Sequence, residues 1–344
     1  MKSLFLMLAA FVLSSLFLAC THPKPVPVGN TEVTVGNTRI SAPYTHDNLT
    51  IFLFLGTDRV KNKTYLTLQE ALEQKKVTVI ETSNVNELQI ENTSNMDVYI
   101  QSGDIVRGGR QDRTFGNDYV LAPASGKVPI AAFCVEHGRW HQRGTEDATA
   151  FSSSAQMVAG NHMKVAVNSS AHDQNAVWSS VSENQGKITT NAGTDVHDAA
   201  SPSSFQLTLE NKAVKDNTDA TIKALSHIID EYPDAIGYAV AVNGQISSAD
   251  IYASHALFVK LWPKLLNSSA VEALAELQKD KKFAPAQAAD IKTVMEDAQK
   301  GQDTEKTLSP RVAIKSRETK DTLYYGTTDS SNPAAPIHEG YLKK

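Results

Sequence analysis

A series of short apolar segments between residues 31 and 140 most strongly limits the folds open to this chain. Val, Ile, Thr, Phe and Tyr recur in these segments, and Gly, Asn, Ser and Asp separate them. β-branched and aromatic residues favour strands, and a spacing of roughly ten residues is typical of a sandwich or a partly closed barrel. One helical pattern, at residues 66–75, interrupts the series.

The second half of the chain mixes helical and strand patterns. Residues 213–232 and 254–266 have helical periodicity, and residues 236–247 alternate around Asn243-Gly244, which predicts a β-hairpin. Residues 311–317 and 322–326 predict a closing pair of strands. The predicted class is therefore α+β, with a β-rich N-terminal sandwich or partly closed barrel packed with helices and a hairpin from the C-terminal half.

Changes in composition divide the chain into four segments. We predict a signal peptide at 1–19, a Pro-rich tether at 20–40, an α+β domain at 41–270, and C-terminal helices and closing strands at 271–344. Within the domain, residues 168–204 are dominated by Ser, Asn, Thr, Asp and Gly. This composition predicts a polar surface excursion with one short helix near residues 173–181.

The N-terminus resembles a bacterial lipoprotein signal peptide. Met1-Lys2 is followed by an almost continuous apolar stretch at residues 4–18 and then by Ala19-Cys20. The resemblance implies that Cys20 is acylated, as with palmitate, and anchors the chain to a membrane of the cell envelope. Thr21 after the cysteine indicates the outer membrane, facing the periplasm, in a host that has one. Alternatively, the signal is an ordinary cleaved one and Cys20 is incidental.

Composition and missing motifs exclude several classes of function. The chain has 33 basic and 38 acidic residues, a net charge of −5, which argues against a nucleic-acid binder. Two cysteines exclude a disulfide scaffold and a Cys-built zinc site, and Cys134 is expected to be a buried strand thiol. The spacings of phosphate-binding loops, dinucleotide sites, zinc proteases and serine hydrolases are missing, so we predict no cofactor and no metal.

Two dense polar segments carry the candidate chemistry. Residues 103–113 contain the adjacent glycines Gly108 and Gly109, which mark a sharp turn or a close approach, among three arginines. Residues 133–141 place charged and aromatic side chains where an apolar strand ends. From Asp104 to Arg143 there are six basic and four acidic residues, a local charge of +2, which suits a small anionic ligand bound by guanidinium groups.

Three alternatives to anion binding stay open at this stage. Asp112 or Glu136 can pair with Arg110, Arg113 or Arg139 in a buried network that fixes a corner of the sheet. Glu136, beside histidines, is a candidate general base. A metal site at Glu136, His137 and His141 is disfavoured because Gly138 argues against the helix that it would need.

Four motifs in order carry a resemblance to a known family. They are Gly-Gly-Arg-Gln-Asp-Arg, Cys-Val-Glu-x-Gly-Arg-Trp, Asp-Gln-x-x-Val-Trp and Phe-x-x-x-Trp, and they start at residues 108, 134, 173 and 258. The chain resembles the uncharacterised family associated with ADP-ribosylglycohydrolases and rhodanese/phosphatase-superfamily proteins. The resemblance covers residues 43–266 and implies a genomic neighbourhood concerned with ADP-ribose or phosphorylated metabolites. The matching positions are Arg110, Gln111, Asp112, Arg113, Glu136, Arg139 and Trp140.

These observations lead to three hypotheses for an envelope protein. In the first, Arg110, Arg113 and Arg139 hold a small phosphorylated or sugar-nucleotide-like anion, Gln111 orients it and Trp140 stacks on it. In the second, the protein is a non-catalytic structural or protein-interaction module with its arginines in internal ion pairs. In the third, it is a hydrolase with Glu136 as general base. A protein partner is not identified by the sequence.

Overall fold

The strand pattern predicted for the N-terminal half is present in the computed structural model, which describes residues 33–60, 63–169 and 171–344. The predicted signal peptide, Cys20 and most of the predicted tether lie outside the described residues. Residues 32–344 form one compact unit.

The N-terminal strands coincide with the apolar segments of the sequence. They are β1 (Thr34–Val35), β2 (Thr38–Ile40), β3 (Tyr44–His46), β4 (Leu49–Leu55), β5 (Leu66–Thr67), β6 (Val77–Asn84), β7 (Glu87–Asn92), β8 (Val98–Ile100), β9 (Asp104–Gly108), β10 (Arg113–Phe115), β11 (Tyr119–Leu121), β12 (Gly126–Cys134) and β13 (Phe151–Met157). The C-terminal strands are β14 (Ala235–Val242), β15 (Gln245–Tyr252), β16 (Gln302–Thr307), β17 (Val312–Glu318), β18 (Thr322–Asp329) and β19 (His338–Lys343).

The helices follow the periodic segments, with caps at several of their ends. They are α1 (Leu68–Glu73), α2 (Asn161–Asn168), α3 (Gln174–Ala192), α4 (Phe205–Glu210), α5 (Lys212–Leu225), α6 (His255–Ala275) and α7 (Ala288–Ala298), with a 3₁₀ helix at Ser226–Glu231. Asp173 caps α3, because its side chain accepts a hydrogen bond from the Asn175 amide.

The described strands assemble into a large sheet and two smaller ones. The ten-stranded sheet has the order β1-β2-β4-β14-β15-β19-β18-β17-β16, with β3 beside β4. The six-stranded sheet has the order β13-β9-β10-β12-β7-β6, and β11-β8-β5 form the third. The fold is α+β and β-rich, with the C-terminal hairpin β14–β15 joined directly to β4 of the N-terminal half.

Helices cover both faces of the ten-stranded sheet. On one face, Phe258 and Trp262 of α6 are buried in the same core as β4 and β14. On the other face, Ile291 and Met295 of α7 lie in a second core with Phe52. The hairpin turn is the predicted Asn243-Gly244, and both residues have positive φ, 53° and 75°.

The structure differs from the sequence predictions in three places. Helix α3 has 19 residues, more than twice the predicted length, and buries Val177, Val181 and Ile188 against other helices. Its few apolar residues fall on one face, so a polar composition concealed a core helix. Between α6 and β16 the structure has one helix, α7, where the sequence predicts C-terminal helices, and strands β1 and β2 begin inside the predicted tether.

Candidate functional site

The strand pairing of the six-stranded sheet brings the two polar segments together. Strand β10 pairs with β9 on one side and with β12 on the other, and Arg113 lies opposite Cys134. The turn between β9 and β10 therefore lies beside the chain that leaves β12. The amide of Asp112 donates to Glu136 Oε2 over 2.9 Å, and Gln111 Nε2 donates to the Glu136 carbonyl over 2.8 Å.

The two adjacent glycines form the turn that the sequence predicts. Gly108 and Gly109 have φ values of 118° and 54°, in the region that favours glycine. A Cβ on Gly109 would lie 2.3 Å from the ring of Phe151, so a side chain cannot be accommodated there. The Gly108 amide donates to Asp112 Oδ1 over 3.1 Å, which closes the turn.

Two guanidinium groups and two carboxylates form the centre of the site. Arg139 forms a paired contact with Glu136, with Nε–Oε1 and Nη2–Oε2 distances of 2.6 and 2.7 Å. Arg143 makes the equivalent contact with Asp112, with distances of 2.8 and 3.0 Å. Asp112 and Glu136 are fully buried, and the two arginines are 5% and 7% exposed. We call these four residues the buried ion-pair network.

Serine hydroxyls and a second layer of charges complete the network. Ser204 donates to Asp112 Oδ2 over 2.8 Å, and Ser201 donates to Glu136. Arg143 also reaches Glu146, which accepts a 2.6 Å bond from Arg107. All four oxygens of Asp112 and Glu136 therefore accept hydrogen bonds. Because paired, hydrogen-bonded charges tolerate burial and lone ones do not, these partners let the two carboxylates lie inside the protein.

The network sets the pKa values of the two buried carboxylates in opposite directions. Burial opposes ionisation of Glu136, but hydrogen bonds from Arg139, Ser201 and the Asp112 amide outweigh it and lower its pKa. For Asp112, burial is the largest influence, the charge of Glu136 adds to it, and the pKa is raised.

Arg113 is buried separately from the network. Its side chain is 0% exposed, and its guanidinium faces Glu81 at 3.4 Å and the carbonyl of Val85. Glu81 also accepts the backbone amide of Arg110 over 3.3 Å. Arg113 thus ties the β9–β10 turn to β6.

Arg110 and Trp140 are the predicted site residues nearest to solvent. Trp140 is 38% exposed, and the Arg110 guanidinium lies 5.5 Å from its ring centroid. Arg113 lies 5.6 Å from the same ring. Within the described residues, the Arg110 side chain forms no ion pair and no hydrogen bond. Its guanidinium interacts with the Trp140 ring through a cation–π contact.

The predicted residues therefore lie close together, with Arg139 and Arg113 directed at carboxylates and Arg110 at the ring of Trp140. Cavities of about 380 and 350 Å³ in the described part of the chain are not lined by any of the seven. Gln111 is 4% exposed and its Oε1 has no partner there. Among the described residues, no group of three or more His, Cys, Asp or Glu side chains is placed to hold a metal ion.

Sequence reasoning missed Arg143, Ser201 and Ser204 as members of the site. Arg143 could have been inferred, because burial of both Asp112 and Glu136 requires two cations and Arg139 supplies only one. The serines come from the polar segment 168–204, and no local pattern links them to residue 112 or 136. Ser204 also caps α4, so its hydroxyl serves the helix and the network together.

The third family-like motif holds helix α3 against the sheet. Gln174 accepts from the Cys134 amide over 2.8 Å and donates to the Cys134 carbonyl over 2.9 Å. The thiol of Cys134 is buried, and burial raises its pKa to about 11, in keeping with the predicted buried strand thiol. In the part of the chain that the structure describes, no helix is both long and apolar enough to cross a bilayer.

Comparisons with known proteins agree with the motif arrangement. The family model for the ARG and Rhodanese-Phosphatase-superfamily-associated Protein domain matches residues 37–328, which include all the motifs above. A comparison with curated proteins gives no match, and neither does one with solved structures. Because the matched region spans most of the sequence, this chain belongs to the ARG and Rhodanese-Phosphatase-superfamily-associated Protein domain family.

Proposed function

We propose that this chain is a lipid-anchored, non-catalytic module of the cell envelope whose family motifs stabilise the fold. The observation that supports this role is the buried ion-pair network. Arg139 and Arg143 neutralise Glu136 and Asp112 inside the protein, so these arginines are committed to internal partners.

A general-base role for Glu136 receives no support from its surroundings. Both of its oxygens accept hydrogen bonds from arginine, and it is fully buried. A general base must come within hydrogen-bond reach of the proton that it removes.

Thermal unfolding combined with ligand titration tests the structural role. We expect Arg139→Ala to unfold at a clearly lower temperature, and we expect no binding heat when wild type is titrated with ADP-ribose, ADP or glucose 6-phosphate. Unchanged thermal stability of Arg139→Ala would contradict a structural role for the network.

A second candidate function is the binding of a small anion at the surface by Arg110 and Trp140. It is favoured by the partly exposed Arg110 side chain, whose guanidinium lies over Trp140 without an ion pair among the described residues. A guanidinium in this position keeps its donors for phosphate or carboxylate oxygens. If the same titrations give a binding isotherm that Arg110→Ala abolishes at unchanged thermal stability, the surface is a ligand site.

The envelope anchor is tested through Cys20. Labelling of the full chain with a palmitate analogue in a bacterial host should occur in wild type and disappear in Cys20→Ser. Equal labelling of both chains, or none in either, would leave the anchor without support.

A further inference from the structure

We propose that the cavity of about 380 Å³ between α2, α3, α6 and the β14–β15 turn binds a neutral saccharide. None of the family motifs contributes to its lining. Its volume lies in the range of about 300–1,000 Å³ that is usual for small-molecule sites. The inference is independent of the role proposed for the buried ion-pair network.

The lining of the cavity is balanced in charge. It contains three lysines and three glutamates: Lys187, Lys343, Lys344, Glu183, Glu272 and Glu276. Lys187 lies between Glu183 and Glu276, at 2.7 and 2.6 Å, and the three lysines and three glutamates together carry no net charge. A balanced lining gives a charged ligand little net attraction, which favours a neutral one.

The floor of the cavity is fixed by a buried polar cluster. Glu272 is 2% exposed, accepts a 2.9 Å bond from Lys164, and is hydrogen-bonded by Ser247. With both partners in place, the carboxylate is held rigidly at the bottom of the cavity. A preorganised floor of this kind reduces the entropy lost when a ligand binds.

The walls carry five side-chain amides: Asn161, Asn184, Asn243, Gln245 and Gln278. The Nδ2 atoms of the three asparagines already donate to backbone carbonyls, so Asn161 Oδ1 and the two glutamines supply the hydrogen-bonding capacity that is left for a ligand. Asn161 Oδ1 is buried and has no hydrogen-bond partner among the described residues, and the amides of Gln245 and Gln278 have no side-chain bond there either. A side-chain amide has hydrogen-bond donors and an acceptor, and a sugar hydroxyl can also donate and accept. Amides and sugar hydroxyls are therefore complementary hydrogen-bonding partners.

An aromatic ring completes the lining. Phe283 is 37% exposed, an unusual position for a large apolar side chain. A Cβ on Gly244 would lie 2.1 Å from the Ala284 carbonyl and 3.3 Å from Phe283, so this glycine lets the loop pack closely on the hairpin turn. A partly exposed ring held in this way offers a flat apolar face to the C–H face of a sugar.

Saccharide titration of wild type and single variants tests the proposal. The probes are glucose, N-acetylglucosamine and maltose at millimolar concentration. Their binding is measured by saturation-transfer NMR and by calorimetry. We expect at least one to bind wild type, with Phe283→Ala and Gln245→Ala each weakening binding by about tenfold or more. Both residues are partly or fully exposed, so neither substitution should unfold the chain.

Val259→Ala is the matched control, because it truncates an exposed apolar side chain of α6 that does not line this cavity. It should leave saccharide binding unchanged. The proposal is overturned if no probe binds wild type, if Phe283→Ala and Gln245→Ala bind as tightly as wild type, or if glucosamine or glucose 6-phosphate binds more tightly than glucose.

Discussion

At the scale of single residues, the three arginines predicted to hold a ligand have different environments. Arg139 and Arg113 are buried against carboxylates, whereas Arg110 lies partly exposed over Trp140. Arg110 and Arg113 are neighbours in one motif and Arg139 belongs to the next, and the turn and strand geometry direct each side chain to a different neighbour. Substitution of Arg139 or Arg113 should therefore lower the stability of the fold, whereas substitution of Arg110 should affect only ligand binding at the surface.

Arg139→Ala should destabilise the protein strongly, since it leaves the buried Glu136 without its paired cation. Removing one partner of a buried pair costs about 3–5 kcal/mol, which lowers the melting temperature by roughly 10 °C. Thermal unfolding followed by circular dichroism measures this. Arg110→Ala is the matched control and should melt within about 2 °C of wild type; equal melting temperatures for the two variants would contradict the assignment.

A second residue-scale feature is the fully buried His338. Its ring nitrogens contact Asp118 at 2.8 Å and Asp250 at 3.1 Å, and it stacks on Tyr252. Burial opposes protonation, but the charges and hydrogen bonds of the two carboxylates outweigh it and raise the pKa to about 10.

The free energy of unfolding should therefore fall as the pH rises above neutrality. In the unfolded chain His338 loses its proton near pH 6.5, but in the folded protein it keeps the proton up to about pH 10. The stabilisation is complete below the lower value and is lost as pH approaches the upper one. Urea denaturation at about pH 6 and about pH 9.5 should show this loss in wild type and much less of it in His338→Gln. Equal pH dependence in both proteins would show that His338 is not its source.

At the scale of secondary structure elements, helix α3 completes the edge of strand β12. Strand β7 pairs with β12 only from Gly126 to Ala131, so Cys134 lies beyond that pairing. The Gln174 amide supplies the missing donor and acceptor to the Cys134 backbone. A side chain therefore substitutes for a strand partner and joins the helix to the sheet.

Gln174→Ala should destabilise the junction of α3 and β12. It leaves a buried backbone N–H and C=O without partners, at a cost of about 1–3 kcal/mol. Chemical denaturation measures the loss, and hydrogen exchange should show faster exchange of the Cys134 amide. Ser179→Ala, at an exposed position of the same helix, is the control and should match wild type. If the Cys134 amide of Gln174→Ala exchanges its hydrogen at the wild-type rate, this role of Gln174 is contradicted.

At the scale of the whole molecule, the last strand of the chain, β19, is internal to the large sheet rather than added at its edge. Strand β19 lies between β15 and β18 in the ten-stranded sheet, and it carries His338 to Asp118. The C-terminal segment of the sequence therefore completes both a sheet and a buried charge cluster.

A chain of residues 32–301 should fail to fold cooperatively. Without β19, the sheet has a new edge at β15, and Asp118 and Asp250 lose the cation between them. The chain 32–344 is the control and should give a single sigmoidal transition in thermal or urea unfolding. Cooperative unfolding of the shorter chain would show that the core forms without the closing strands.

The sequence by itself determined the class of fold, the Asn243-Gly244 hairpin and the sharp turn at Gly108 and Gly109. Each of these depends on side-chain periodicity or on backbone conformation, which are local properties. It also identified the arginine-rich motifs as a unit. It underestimated α3, because a few apolar residues on one face are sufficient to bury a helix whose composition is polar.

Only the tertiary structure decided which charges meet. Asp112 pairs with Arg143, and serines more than sixty residues farther along the chain complete the network. The proposed saccharide cavity likewise lies between three helices and a hairpin turn, and no sequence motif predicts it. Pairing of buried charges depends on distances between elements remote in sequence, and those distances are set by the packing of the whole chain.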